Sequence, residues 1–210
     1  MSAYPYRTVI DAAAVTHALV DATTVFDELG QSSPTTAQTT QMETVIDQTS
    51  GLIDKFLDRV LAEEDVTDYF RDPRGDVLRL SRYPVAEILE VIEAGVALTP
   101  DDWELNDATG ELWRISGSDR SCWSDGGATT VSYVGGYILP DDLPADIERA
   151  AIDDIKTKYM GGTRDPALRS FAVPGVYQAS YSVAGGDSFG KSGLLAQVEG
   201  ALARHRRSAV

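Results

Sequence analysis

Histidine and cysteine are nearly missing from this chain, with two His and one Cys in 210 residues. A lone cysteine, Cys122, can close no intrachain disulfide and supply no multi-cysteine metal site, and beside Trp123 it reads as an inert thiol. His17 lies in a weakly patterned N-terminal stretch and His205 inside "ARHRR", so a Ser/His or Cys/His catalytic set has little to draw on. No apolar run is long enough to span a bilayer, so no membrane partner is expected. Met1 to Thr8 lacks the apolar stretch of a secretory signal, which leads us to expect synthesis and folding in a cytoplasm. Basic residues are also in deficit: 18 Lys and Arg face 33 Asp and Glu, for a net charge of −15. That balance opposes general adhesion to nucleic acid or to anionic membranes.

The acidic charge is unevenly spread. Lys191, Arg204, Arg206 and Arg207 against Glu199 give the last twenty residues a net +3, leaving −18 on the remainder. The acidic pairs Asp101/Asp102, Asp141/Asp142 and Asp153/Asp154 do not read as metal sites. Neighbours on a helix point about 100° apart, so solvated faces and caps account for them. No metal or cofactor is expected. Trp103, Trp113, Trp123, Tyr133 and Tyr137 read as a packed sheet face before they read as a platform for sugars or bases.

Periodicity sets the expected elements. Val9, Ala13, Val20, Val25 and Phe26 suggest helical material near the N-terminus, interrupted by the linker or helix entry "GQSSPTTAQTT". Met42, Val45, Ile46, Ile53, Phe56, Leu57 and Val60 recur at three- and four-residue steps and predict a long helix from Gln41 to about Leu61. The segment that follows changes period, with short runs between Pro and Gly signals, and predicts an antiparallel β region. Within it, "NDATGE" turns between the strands "DWEL" and "ELWRI", and "TTVSYVGGY" is a further strand. A second long helix follows, with Asp142 as cap, Pro144 in its first turn, Ile147, Ala151, Ile155 and Tyr159 spaced by four, and Gly161 and Gly162 as its stop. The Gly/Ser-rich stretch beyond reads as an extended arm, closed by a short helix from Leu194 to Arg204.

The expected fold class is therefore α+β: a mainly helical core with a small antiparallel β insert and an extended C-terminal arm ending in a short helix. Its divisions are an N-terminal helical segment and linker (1–39), a core of helix, β insert and helix (40–170), and the arm with its basic helix (171–210).

One stretch of the arm, "GGDSFGKS", fits the phosphate-loop pattern G-x-x-x-x-G-K-[ST] at Gly185 to Ser192. In a nucleotide hydrolase Lys191 and Ser192 would serve phosphate and Mg²⁺. The chain ends one helix later, with no strand left to complete a parallel sheet, so the loop reads as a joint before a docking helix.

Several short motifs, in order, carry a resemblance. They are "YPV" at Tyr83 to Val85, a G-x-L hairpin at Gly110 to Leu112, V-S-Y-x-G-G-Y at Val131 to Tyr137, "LPDDLP" before a helix ending at Tyr159, and "RDP" at Arg164 to Pro166. Over roughly residues 40 to 170 the chain resembles the head-to-tail connector, or adaptor, proteins of tailed bacteriophages and gene transfer agents. The resemblance implies a non-enzymatic structural protein of the virion neck. It implies a homo-oligomeric ring, commonly of twelve copies, that binds the portal protein on one side and a downstream neck or tail protein on the other. DNA would pass through the ring without specific binding. It also implies a C-terminal segment that engages the portal, for which Lys191, Leu194, Leu195, Val198, Leu202, Arg204, Arg206 and Arg207 are the candidate docking residues. The apolar members are expected to find their partner on another subunit, and residues 184–210 are expected to be separable from the folded body. The alternatives are another neck protein, a stopper or tail completion protein, and the nucleotide hydrolase using Gly185 to Ser192.

Overall fold

The computed structural model describes residues 2–73, 75–123, 127–162, 170–173, 177–180 and 189–206. The chain divides into two compact units, each discontinuous in sequence. One contains residues 2–17 and 58–142 and holds the sheets. The other runs through Ala18–Leu57 and Leu143–Arg206 and holds the helices.

The sheet unit begins with β1 (Ser2–Ala3) and β2 (Arg7–Ala12), and continues after the first helices with β3 (Glu64–Arg71), β4 (Val77–Arg79), β5 (Val85–Glu93), β6 (Val96–Ala97), β7 (Trp103–Asn106), β8 (Glu111–Ser116), β9 (Asp119–Ser121) and β10 (Ala128–Gly135). One sheet has the order β1-β4-β8-β7 with β9 also on β8; the other has the order β2-β3-β10-β5-β6. All pairings are antiparallel except that of β1 with β4. Both sheets contribute to one apolar core, which includes Val66, Phe70, Leu78, Val91, Leu112 and Val131. Trp123 and Tyr133 are buried in it and Trp103 packs partly buried against it, while Trp113, half-buried, carries the Arg120 guanidinium 4.4 Å from its ring centre.

In the helical unit, α1 (Ala22–Glu28), α2 (Thr36–Leu57), α3 (Ala145–Gly162) and α4 (Ala196–Leu202) bury one face each, through residues such as Phe26, Met42, Ile53, Ile147, Ile155 and Val198. The four-residue spacing predicted for α3 holds: Ile147, Ala151, Ile155 and Tyr159 are all buried. α3 opens after Pro144, whose carbonyl accepts the N–H groups of Ile147 and Glu148. α2 starts five residues before the predicted Gln41. The Gln38 side chain accepts from the Thr35 N–H at 2.8 Å while the Thr35 hydroxyl accepts from the Gln38 N–H, a reciprocal cap that turns the supposed linker into a helix start. It ends at Leu57 because Asp58 takes φ 57°, a left-handed conformation that stops the helix before Leu61.

The expected mainly helical core with a small β insert is overturned: the described residues form two five-stranded sheets as well as four α-helices. The segment read as N-terminal helix is divided between strand β2 and helix α1. Part of the expected extended arm is also a hairpin, in which β11 (Ser170–Val173) pairs antiparallel with β12 (Tyr177–Ser180). The physical reason is clearest in β3, whose inward positions are Glu64, Val66, Asp68 and Phe70. Two buried acids interrupt the apolar alternation by which a half-buried strand is recognised.

Those acids are paired within the sheet unit. Asp68, fully buried, accepts from the Ser81 N–H at 2.7 Å, the Ser81 hydroxyl at 2.8 Å, the Tyr133 hydroxyl at 2.9 Å and the Thr8 hydroxyl. Glu64 accepts from Arg82 at 2.9 Å. The short motifs converge here. Leu80 N–H bonds the Gly110 carbonyl, Val85 N–H that of Asp107, Gly136 N–H that of Pro84, and Tyr137 N–H that of Leu61. The Arg59 guanidinium lies 4.0 Å from the centre of the Tyr83 ring and donates to the Tyr83 carbonyl at 3.0 Å. "YPV" is thus held between the 106–110 turn and the "VSYVGGY" strand, as part of the scaffold.

Candidate docking site

The basic C-terminal segment is described from Phe189 to Arg206 and belongs wholly to the helical unit. A turn leads into α4: Gly190 N–H donates to the Leu194 carbonyl at 2.6 Å and Gly193 N–H to the Gly190 carbonyl at 3.2 Å. Two anchors fix this segment to α3. At its start, the Leu195 N–H donates to a carboxylate oxygen of Asp154 at 2.8 Å. Asp154 is fully buried and is also paired with Lys158 at 2.6 Å, one turn along α3. At its end, Asp146 accepts from Arg204 Nε at 3.1 Å and meets His205 Nε2 through the same oxygen. Burial pushes the Asp146 carboxyl up, but hydrogen bonds from His205 and then Arg204 outweigh it and hold the group down at about 2.

Between the anchors Leu194, Leu195, Val198 and Leu202 are all buried in their own chain, where α4 packs on α3. Their apolar partner is thus internal, against the expectation of a second subunit. Nor is this segment separable from the body without opening the α3 face, since it fills part of the core. Of the basic candidates, Arg204 is tied to Asp146 yet keeps 68% of its side chain exposed. Lys191 and Arg206 are exposed beside a cleft floored by Leu52 and Phe56 of α2, and Arg206 lies 5.7 Å from the Phe56 ring centre. Arg207, Gly185 and the "RDP" motif lie outside the described residues.

The phosphate-loop pattern resolves into something else. Glu199, one turn into α4, turns back so that its Oε1 accepts the Ser192 N–H at 3.0 Å and the Ser192 hydroxyl. These bonds, the side-chain one first, hold its carboxyl below the usual glutamate range. A Cβ added at Gly190 would come within 2.1 Å of that carboxylate. Among the described residues of the pattern, the Ser192 donors that a phosphate and its Mg²⁺ would need are taken by the chain's own anion.

Asp154 escaped the sequence reading, which placed Asp153 and Asp154 on a solvated face. Asp153 does pair with Arg149 at 3.2 Å on the exposed side, while its neighbour points into the core. The available signal was Lys158, four residues on and able to reach back to Asp154 along the helix. Of the other acidic pairs, Asp102 accepts the Thr99 N–H and hydroxyl at the cap of a short 3₁₀ turn, as read, while Asp141 and Asp142 lie in the turn before α3, which begins at Ala145, three residues beyond the expected cap Asp142.

The geometry defines a structural scaffold, with a sheet unit keyed by buried acid clusters and a helical unit whose terminal segment is tied down at both ends. No protein-family model and no curated protein matches the chain. Its fold recurs in particle structures. One similar chain lies in the neck of an empty gene transfer agent (GTA) particle with C6 symmetry: TM-score 0.59, 16% identity, covering 97% of both chains. A second is from the virion of the native GTA particle: TM-score 0.60, 16% identity, covering 97% of this chain and 96% of that one. A third is from the neck of the native particle with C12 symmetry: TM-score 0.55, 17% identity, covering 96% of this chain and 97% of that one. At such identities the likeness is one of fold, and it runs along nearly the whole length of each partner.

Proposed function

We propose that this chain is a structural subunit of a virion neck, a head-to-tail adaptor that forms a ring beneath the portal and joins capsid to tail. The observation that carries this reading is the full-length fold likeness to chains from GTA necks described with C6 and C12 symmetry. The order of the short motifs supports it independently. The role is mechanical, not enzymatic, and the twelve-fold ring is part of the proposal. A net charge of −15 suits a ring around moving DNA, because acidic walls lower adhesion to phosphates. The basic C-terminal segment, with exposed Arg204 and, by sequence, Arg207, is the part we assign to the portal.

Electron microscopy of the protein mixed with portal protein tests the reading, with a ring on the outer rim of the portal as the expected result. Arg204→Ala combined with Arg207→Ala should weaken portal capture about tenfold at low salt, since a single surface ion pair contributes modestly and is screened. Density against the tail tube, away from the portal, would instead make it a stopper or tail completion protein. No ring on either neighbour would overturn the neck reading.

A further inference from the structure

The cleft beside Lys191 has a counterpart on the same chain. Leu52, Lys55 and Phe56 share one face of α2, and Lys191 and Arg206 close the cleft around them, enclosing about 310 Å³. Its floor is apolar and its rim carries three cations. Among the described residues of its lining the one carboxylate, Glu199, is already engaged by Ser192. On a chain with nearly twice as many acids as bases, this concentration of positive charge calls for an anionic partner.

Strand β5 offers one. Its pairing with β10 passes from Ser132 opposite Glu90 to Tyr133 opposite Ile88, so Leu89 is the extra residue of a β-bulge. Bulges re-aim side chains, and Leu89 is 55% exposed where a strand of this core would otherwise hide it. Exposed Glu87 and Glu90 flank it, giving an apolar knob between two carboxylates. The knob matches the Leu52 and Phe56 floor, and its carboxylates match Lys55, Lys191 and Arg206.

Resting on the neck reading above, we propose that the Leu89 bulge of one copy inserts into the α2 cleft of the next copy. The knob and the cleft are different surfaces of one chain, and in this proposal the contact runs head-to-tail and repeats until a ring closes. Glu87 and Glu90 then meet Lys55, Lys191 and Arg206 across the interface, which brings acidic subunits together at a place where their charges are opposite. Lys191 and Arg206 accordingly serve the neighbouring subunit, leaving Arg204 and Arg207 for the portal.

Cross-linking tests the contact in the full chain with Cys122→Ser as background. Two differently tagged versions, one carrying Leu89→Cys and the other Leu52→Cys, are mixed under mild oxidation. A disulfide between the two tags is expected, and adding Lys55→Glu with Lys191→Glu to the cleft version should lower its yield about tenfold, as facing like charges repel. Restoring the yield by placing Glu87→Lys and Glu90→Lys in the knob version completes the expected result and shows that the cleft variant is folded. Absence of the mixed disulfide, or a yield indifferent to these reversals, overturns the contact. A ring still seen on the portal in that case leaves the neck reading standing.

Discussion

Asp154 and Leu195 lie 41 residues apart in sequence, and the buried carboxylate of one accepts the backbone N–H of the other at 2.8 Å. A side chain from the middle of α3 thereby caps the entrance to α4, whose own first turn has no side-chain cap. Asp154→Ala strands this N–H and leaves Lys158 without its close anionic partner. We expect a loss of about 2–4 kcal/mol, read by urea unfolding, with new protease cleavage near residues 189–206. An unchanged midpoint would show that α4 is held by its apolar face alone.

The acid anchor gives a pH signature. Asp146 is held at about 2, below its ordinary 3.8, so the folded state favours its charged form. The resulting stabilisation is present above the ordinary value and is lost as pH falls through about 2. Carboxyl NMR shifts of Asp146 should titrate below those of exposed aspartates, and Asp146→Asn should remove this part of the acid dependence. A normal Asp146 titration would argue against the clasp.

Gly136 decides whether "VSYVGGY" can exist in this form. Its φ is +117°, and a Cβ there would sit 2.3 Å from the Ala62 carbonyl oxygen, part of a backbone with no room to yield. Gly136→Ala should cost more than about 3 kcal/mol, by strain and clash together, and is expected to reduce soluble expression. Gly117→Ala is the control: its φ is also positive, but nothing lies within 4 Å of the added Cβ, so only the backbone strain of about 1–2 kcal/mol should remain.

In the sheet unit, Tyr133 donates to Asp68 and its oxygen accepts the Arg82 N–H at 2.9 Å. Burial and then the nearby Asp68 charge push the phenol far above its ordinary value of 10. Its neutral form is therefore the folded one, and the associated stability is present below pH 10 and is lost as pH rises beyond it. Tyr133→Phe should cost about 1–3 kcal/mol by leaving both partners short of a bond. Alkaline difference spectra of the native protein should lack one tyrosine, which appears only on unfolding.

The nucleotide reading has its own test. With Glu199 on Ser192, Mg²⁺-ATP should not bind measurably by calorimetry, and Lys191→Ala should change nothing. Saturable binding lost in that variant would restore a phosphate site.

What could be read directly from the chain was local. The hairpin from Trp103 to Ser116 is written in adjacent residues, because Asn106, Asp107 and Gly110 set the turn and the strands pair across it. The long helices were legible because burial on one face imposes a period that neighbours in sequence share. Strand β2 was not: only its pairing with β3, more than fifty residues away, makes Arg7–Ala12 extended. β3 was hidden by its buried Glu64 and Asp68, whose partners Arg82, Ser81 and Tyr133 are supplied by other segments. For the site, the basic C-terminal residues were visible as a charge shift, but their division between clasp and cleft was not.

The sequence by itself determined the helices α2 and α3, the turn chemistry, the acidic balance and the poverty in catalytic residues. Each of these depends on spacing or composition within a few turns of chain. The tertiary structure alone decided that the sheets dominate, that α4 closes on α3 and not on a stranger, and that a loop shaped for phosphate holds Glu199. Those outcomes depend on which buried polar groups find partners across long separations, and an unpaired one costs too much to be left.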